Sequence, residues 1–444
     1  MKRCTVSPRC GAICGTETEN ARIFRGIPYA NTPRFAPPQP VPVWDTPLDA
    51  VGPELDCPQY GTFRDESAAD DTFYYREFRS DATFCYREDV MTLNITTPLS
   101  AENCPVVVFI HGGGHETGTV GELPYGPSLA YAARGVILVS IGYRLNIFSL
   151  YEAQNYGLLD QIAAVRWVHE NIAAFGGDAS RVILMGQSAG AMSIMDLCYS
   201  QTLKGLVHGA VLMSGGGMVP KLFGPWTKEK SADFWAAVRA RAGAKTEADM
   251  KTLPAETIWN AWYAESRARN DLHLLQPGID GTVIPDVPQT VVKRGQSLDI
   301  PMIVGVTSQD FMPAVIYEMA LGWALGAAKA GRSPVFGYLF DRALPGGSFK
   351  AFHACDLWYM FGNMEKSWRP FEAADRALSA QMIDSVVNFA RTGDPNGDNL
   401  PPWPAVTAHQ KAFRRFDVAG ETLALPFSCR RKMLRTFLKD KGPM

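Results

Sequence analysis

Several signatures that would assign this chain to a class at sight are missing. No apolar run is long enough to span a membrane; the best candidate, Met319 to Ala328, is too short and adjoins Glu318. Charge of one sign is also missing: Lys plus Arg number 43 against Asp plus Glu 45, for a formal net charge of -2. That balance excludes the basic footprint of a nucleic-acid binder. Cysteine is sparse, with 9 residues, an odd number, and no Cys-x-x-Cys pair. A disulfide framework of the small secreted type is thereby excluded. Cys4, Cys10 and Cys14 cluster, but the first histidine is His111, so they read as reduced thiols and not as a metal site. There is no GxxxxGK[ST], no HExxH and no GxGxxG after a strand, which removes nucleotide-binding and zinc-protease readings. Asp394 to Asp398 carries half the pattern of a calcium loop, yet the twelfth position is Ala405 where a bidentate Glu is needed, so a turn is expected. The N-terminus is charged with no apolar segment behind it, and the expectation is a cytoplasmic protein with neither membrane nor nucleic-acid partner.

What remains is an ordinary globular composition, 46% hydrophobic and 20% charged over 444 residues, enough to bury a large core. Nearly continuous apolar runs recur at Val106–Ile110, Val136–Ile141, Val182–Met185, Gly209–Ser214, Met302–Val306 and Val335–Phe340. Such runs suit strands buried on both faces of a parallel sheet. Helical stripes lie between them, one through Leu158, Ile162, Val165, Ile172 and Phe175, another through Leu378, Met382, Val386 and Phe389, stopped by Gly393. The alternation predicts an α/β fold: a mostly parallel central sheet with helices on both faces, in a single domain over 1–444. Two stretches break the rhythm, 218–297 and 311–333, and read as helical insertions forming a cap.

The strand Val182–Met185 runs into Gly186-Gln187-Ser188-Ala189-Gly190, with a small-residue helix after it. G-x-S-x-G is weak alone, but between strand and helix it describes a sharp turn that lifts the Ser188 hydroxyl clear of the backbone. Upstream, the strand Val106–Ile110 ends in His111-Gly112-Gly113-Gly114. Backbone amides there, with that of Ala189, could face the negative charge that develops on a carbonyl oxygen in acyl transfer. A serine nucleophile needs a base and the base an acid, in the chain order Ser, acid, His. His353, in a loop after the strand Val335–Phe340, is the candidate base, whereas His208 and His273 precede the best acid and His409 lies in a polar stretch. Asp310, just past the strand Met302–Val306, is the candidate acid, with Asp280, Asp286 and Glu318 as rivals.

These residues, with further motifs, give the chain a family resemblance: it is similar to the type-B carboxylesterases, the α/β-hydrolases that include para-nitrobenzyl esterases and cholinesterases. The similarity covers nearly the whole length. It includes Phe24-Arg25-Gly26-Ile27-Pro28-Tyr29-Ala30, Arg34-Phe35-Ala36-Pro37-Pro38, Glu88-Asp89, Leu93-Asn94, HGGG at 111–114 and Asn146. It continues in Trp167–Ile172, Phe175–Asp178, Gly305–Asp310, Phe352–Leu357 and Phe389–Gly397. The resemblance implies Ser188 as nucleophile, His353 as base and Asp310 as acid, with Gly113, Gly114 and Ala189 as the oxyanion hole. It further implies an Arg34–Glu88 ion pair and a Ser214 hydroxyl near the triad.

Four positions depart from the family pattern. The acid is usually Glu, so the shorter Asp310 requires its loop to approach His353 more closely. Gln187 replaces a common Glu, with little expected consequence. Val90 stands where secreted members carry the disulfide partner of the Cys57 position. His115 stands where an aromatic is common. The expected function is a serine carboxylic ester hydrolase acting through an acyl-enzyme on a small-molecule ester, with no metal or organic cofactor, as a monomer or homodimer. A catalytically inactive cholinesterase-like interaction protein, or the same machinery acting on amides or carbamates, are the alternatives. Full-length relatives usually carry a longer excursion between acid and His; with only 311–333 there, bulky or aromatic leaving alcohols are expected to find room.

Overall fold

Residues 2–65, 73–80, 82–218, 227–418 and 422–424 are described by the computed structural model. Among them, strands β1 (Lys2–Val6), β2 (Ile13–Glu17), β3 (Ala21–Pro28), β4 (Thr92–Pro98), β5 (Cys104–Ile110), β6 (Ile137–Ile141) and β7 (Gly177–Gln187) join one sheet. They continue into β8 (Gly209–Met213), β9 (Met302–Thr307), β10 (Val335–Phe340), β11 (Ala412–Phe416) and β12 (Thr422–Ala424), with Leu48–Asp49 beside β2. The spatial order is β1-β2-β3-β4-β6-β5-β7-β8-β9-β10-β11-β12. From β6 to β11 every neighbouring pair is parallel, and the flanking strands are antiparallel.

The parallel strands from β5 to β10 are where the apolar runs predicted them, because they are buried on both faces; β11, with two arginines in Ala412–Phe416, carries no such run and was not expected. Along β5, Val106, Val108 and Ile110 enter one core, with Leu158, Ile162 and Val165 of helix α1 (Tyr156–Asn171). Val107 and Phe109 point the other way, into the second core. The long helix that carries Leu378, Met382, Val386 and Phe389 into that core spans Ala373–Thr392, and Gly393 caps it at φ 78°, donating to the Phe389 carbonyl. The strand containing Val182–Met185 is longer than its apolar run, because both ends continue the ladder with less apolar residues.

Chain order reverses at β5: β6 lies on one side of it and β7 on the other. A crevice opens at such a switch point, outside the carboxyl ends of the strands. The segments after β5, β7, β9 and β10 carry Gly113 and Gly114, Ser188, Asp310 and His353 respectively. The 311–333 insertion is a helix, Pro313–Lys329, packed on β9 and β10. The 218–297 insertion supplies helices Lys228–Ala242, Glu247–Thr252, Ala255–Arg269 and Pro288–Lys293. No helix among the described residues is long and apolar enough to cross a membrane.

Two arginines fasten the entry segments to this frame. Arg34 meets Glu88 through Nε at 2.7 Å and Nη2 at 2.5 Å. Arg144, just past β6, grips Asp160 of α1 through Nε (2.8 Å), Nη2 (2.6 Å) and its backbone N–H (3.1 Å). With side-chain exposures of 4% and 0%, the Arg144–Asp160 pair has little water to replace a lost partner. Asp160→Ala should therefore cost about 3–5 kcal/mol in urea unfolding, whereas Asp89→Ala at the exposed Arg87–Asp89 pair should cost about 1 kcal/mol or less. Equal losses at the two sites would show that the buried pair is not a brace.

Candidate active site

Ser188 sits between β7 and helix α2 (Ala189–Tyr199) at φ 54°, ψ -124°, a backbone shape that non-glycine residues rarely adopt. The turn is tolerated because its neighbours have no side chains to collide. A Cβ on Gly186 would lie 2.7 Å from Gly190 backbone, and one on Gly190 would lie 2.1 Å from the Ile110 carbonyl. A Cβ on Gly215 would come within 2.3 Å of the Ser188 carbonyl, and one on Gly112 within 2.8 Å of that of Gln187. The Ser188 N–H donates to the Met213 carbonyl at 2.8 Å, locking the turn to β8.

The amides near Ser188 are unspent. Ala189 opens α2, where the first N–H groups have no intrahelical acceptor. Gly113 (φ 104°) and Gly114 (φ 65°) are exposed, and their N–H groups make no hydrogen bond among the described residues. The Gly113 carbonyl is tied down instead, accepting from Glu116 (3.0 Å) and Thr117 (2.9 Å).

Asp310 and His353 meet across two loops at the ends of adjacent strands, with Nδ1 donating to Oδ1 at 2.6 Å. The loops are joined by a parallel bridge between Gln309 and Phe352, and by the Gln309 N–H donating to the Ala351 carbonyl at 3.0 Å. Asp310 also accepts from Thr307 Oγ1 at 3.0 Å and from the Phe311 N–H at 2.8 Å. Burial pushes the Asp310 carboxyl up, but attraction to His353 and hydrogen bonding from His353 and Thr307, with the Ser214 hydroxyl close by, outweigh it, leaving the group below its ordinary value.

The donor on the far side of the imidazole is a finding that the sequence did not foretell. Gln187 Nε2 lies 3.2 Å from His353 Nε2. With Asp310 taking the Nδ1 proton, Nε2 carries a lone pair, and the Gln187 amide donates to it. The residue that seemed of little consequence thus faces the imidazole.

The rivals are occupied elsewhere. Asp280 Oδ1 accepts three backbone N–H groups, from Thr282, Val283 and Ile284, and its Oδ2 accepts from Asn155. Asp286 pairs with Arg294 at 3.1 Å, and Glu318 is exposed on its helix. His208 precedes β8 at its amino end, away from the carboxyl ends that carry Ser188 and His353, His273 sits in a single turn over Leu272–Leu275, and His409 is exposed. Asp394 closes a turn, accepting from the Asn396 N–H at 2.8 Å. The eight cysteines among the described residues are free, and Cys429 lies outside them.

A second hidden contact braces the His353 loop. Glu77 and Arg369, each with a side chain only 1% exposed, form a two-pronged pair at 2.8 and 2.7 Å. The same guanidinium donates to the Pro345 carbonyl at 2.8 Å and stands 5.3 Å over the Phe352 ring. The partners are 292 residues apart, and no local pattern couples them.

The model of the carboxylesterase family matches residues 2–324 and 315–427. The para-nitrobenzyl esterase of Bacillus subtilis is 31% identical, with 90% of this chain and 92% of that protein covered. Human cocaine esterase is 30% identical, over 89% of this chain and 82% of its own length. A solved para-nitrobenzyl esterase structure superposes with a TM-score of 0.81 at 27% identity, covering 97% of this chain and 99% of that one.

The two histidines that flank Gly112–Gly114 carry a pH signature. Burial pushes both His111 and His115 down to about 4, so the unfolded chain binds their protons more readily between about 4 and 6.5. Buried Asp56 and Asp356, raised to about 7 and about 6 mainly by burial, contribute slopes of the opposite sign. Each slope is therefore read from a variant. The stability of His115→Phe relative to the parent should grow as pH falls from about 6.5 to about 4, by up to about 3 kcal/mol. A constant difference across that range would show that His115 charges freely in the folded state.

Proposed function

The chain belongs to the carboxylesterase family and hydrolyses carboxylic esters, and from that premise we propose that Ser188, His353 and Asp310 form its catalytic triad. The observation that carries this reading is the 2.6 Å contact between Asp310 and His353 beside the Ser188 turn. Ser188 Oγ attacks the ester carbonyl carbon while His353 Nε2 takes its proton. The carbonyl oxygen becomes negative within reach of the Gly113, Gly114 and Ala189 amides, whose donors need no reorganisation. The imidazolium returns the proton to the leaving alcohol oxygen as the ester bond breaks, giving an acyl-enzyme. Water then attacks the acyl carbon with His353 again as base, and Ser188 is released.

Asp310 holds the proton on Nδ1, so that Nε2 meets Ser188 with its lone pair, and it stabilises the imidazolium that forms. Gln187 fits this scheme as a placeholder: it donates to Nε2 at 3.2 Å and yields to the Ser188 hydroxyl when substrate enters. A neutral amide can do this without favouring a charged imidazole.

Ser188→Ala and His353→Ala should each fold and lose about four orders of magnitude or more in kcat on p-nitrophenyl acetate. Asp310→Asn should lose comparably or somewhat less, because it upsets the tautomer. A serine-directed fluorophosphonate should label Ser188, located by peptide mass spectrometry. Retention of a tenth of the parent rate by Ser188→Ala, or label elsewhere, would remove the assignment.

The placeholder makes a separate prediction with a definite sign. Gln187→Glu puts a carboxylate beside Nε2, which favours the protonated imidazole. The acidic limb of the kcat/KM profile should then move to higher pH, by about one unit. A limb that stays in place would show that the Gln187 contact is absent in the working enzyme.

A further inference from the structure

Gly113 and Gly114 have no side chains, so other groups must aim their amides. A peptide unit is planar and trans, and fixing a carbonyl therefore fixes the N–H of the next residue, which points the opposite way. The Gly113 carbonyl accepts from the Glu116 N–H at 3.0 Å and the Thr117 N–H at 2.9 Å, and from Thr117 Oγ1 at 3.2 Å. The direction of the Gly114 N–H thus depends on where Glu116 and Thr117 stand. Gln59, fully buried, clamps the far end of this turn: its Nε2 donates to the Gly118 carbonyl at 3.0 Å, and its Oε1 accepts from the Gly118 N–H at 2.8 Å. Glu116 is held from two sides. Its carbonyl accepts from Asn146 Nδ2 at 3.0 Å, and its carboxylate accepts from Arg267 Nη2 at 2.7 Å.

Arg267 comes from the 218–297 insertion, in the last turn of the helix Ala255–Arg269. Its guanidinium lies 4.7 Å over the Tyr263 ring, one turn back, and Tyr263 stacks on the buried Trp259 at 4.8 Å. Trp259 in turn meets Phe63 at 5.2 Å and Tyr60, the neighbour of Gln59, at 6.3 Å. The helix that offers Arg267 is therefore seated on the same segment that clamps Gly118. Within the pair the carboxylate is the more buried member, with side-chain exposures of 18% for Glu116 and 47% for Arg267. A negative charge so close in the chain to Gly113 opposes the negative oxygen that the amides must receive, and burial weakens its screening. Arg267 offsets that charge while it fixes Glu116. Resting on the proposed oxyanion hole, we propose that Arg267 is a positioning residue for ester hydrolysis: through Glu116 it sets the aim of the Gly114 amide and keeps a bare carboxylate from opposing the oxyanion.

A trifluoromethyl ketone reads the hole directly. Ser188 Oγ adds to its carbonyl carbon, His353 takes the hydroxyl proton, nothing leaves, and the new oxyanion stays among the amides. Inhibition by trifluoromethyl heptyl ketone is measured beside hydrolysis of p-nitrophenyl acetate, with methyl heptyl ketone as the matched ligand. Arg267→Gln should lower kcat/KM about tenfold, nearly all of it in kcat, and weaken the trifluoromethyl ketone by the same factor. Glu116→Gln should lose less than Arg267→Gln, and the double variant should regain most of the Arg267→Gln loss, because no unpaired carboxylate remains. Arg241→Gln is the control: its 2.7 Å pair with Glu265 ties the same helix to Lys228–Ala242, with similar exposures of 51% and 14%. It should stay within about twofold of the parent. A parent-like Arg267→Gln, a loss confined to KM, an equal loss in Arg241→Gln, or a double variant no better than Arg267→Gln would overturn this role while fluorophosphonate labelling of Ser188 left the triad standing. A parent that binds the trifluoromethyl ketone no more tightly than methyl heptyl ketone would overturn the oxyanion hole itself.

Discussion

A carboxyl group withdrawn from water tends to take up a proton, and the Asp310 environment is organised against that tendency. Burial works toward the neutral acid, while His353, Thr307 and the Phe311 amide supply the opposing attraction and hydrogen bonds, with the Ser214 hydroxyl close by. Thr307 and Phe311 belong to the segment of Asp310 itself, Ser214 follows β8, and His353 arrives from the loop after β10. The surroundings of one carboxylate thus gather the carboxyl ends of three parallel strands. The Ser214 hydroxyl is buried with no hydrogen-bond partner of its own among the described residues, yet it lies near enough to lower the Asp310 carboxyl further.

The glycines around Ser188 meet a complementary demand. A glycine loses more conformational entropy on folding than any other residue, and four glycines are placed where backbones approach at distances no Cβ could enter. What that cost secures is a serine held at φ 54° with free amides close by. Strain at Ser188 and open donors at Gly113, Gly114 and Ala189 belong to one arrangement, since the segments that leave the paired strands β5 and β7 run against each other there.

Much of this was legible in the sequence because burial on two faces leaves continuous apolar runs, and β5, β8, β9 and β10 are buried at every residue. The Ser188 turn was legible because its glycines are local to it. Outer strands such as β1 and β3 were not recognised, being half-exposed and irregular in burial, so their residues carry no clean run. The Glu77–Arg369 pair escaped for a different reason: a contact across 292 residues leaves no periodic trace. Gln187 was read as inert because its motif position says nothing of where its amide points, and only the fold sets it against Nε2. Phe311 was read as the mere start of an insertion, since exposure and ring packing are properties of three dimensions.

The short acid explains why the His353 loop is braced so heavily. A glutamate can adjust through an additional torsion, whereas an aspartate transmits almost any backbone displacement to its carboxyl oxygen. With Asp310 in that role, the distance to Nδ1 depends on the loops themselves, and they are joined at Gln309–Phe352 and by the Lys350 N–H donating to Gln309 Oε1 at 3.3 Å. Arg369 then holds the other end of the same loop, at Pro345, and covers Phe352. Its charge is balanced by Glu77 on the helix Phe73–Phe78, which also packs Phe73 and Tyr74 on Phe352. One short side chain therefore links two features that look unrelated: a buried ion pair 292 residues apart in sequence and a cluster of rings beside His353. Loosening that pair would displace both the His353 loop and those rings, so the Asp310–His353 contact and the ring packing are held by the same brace.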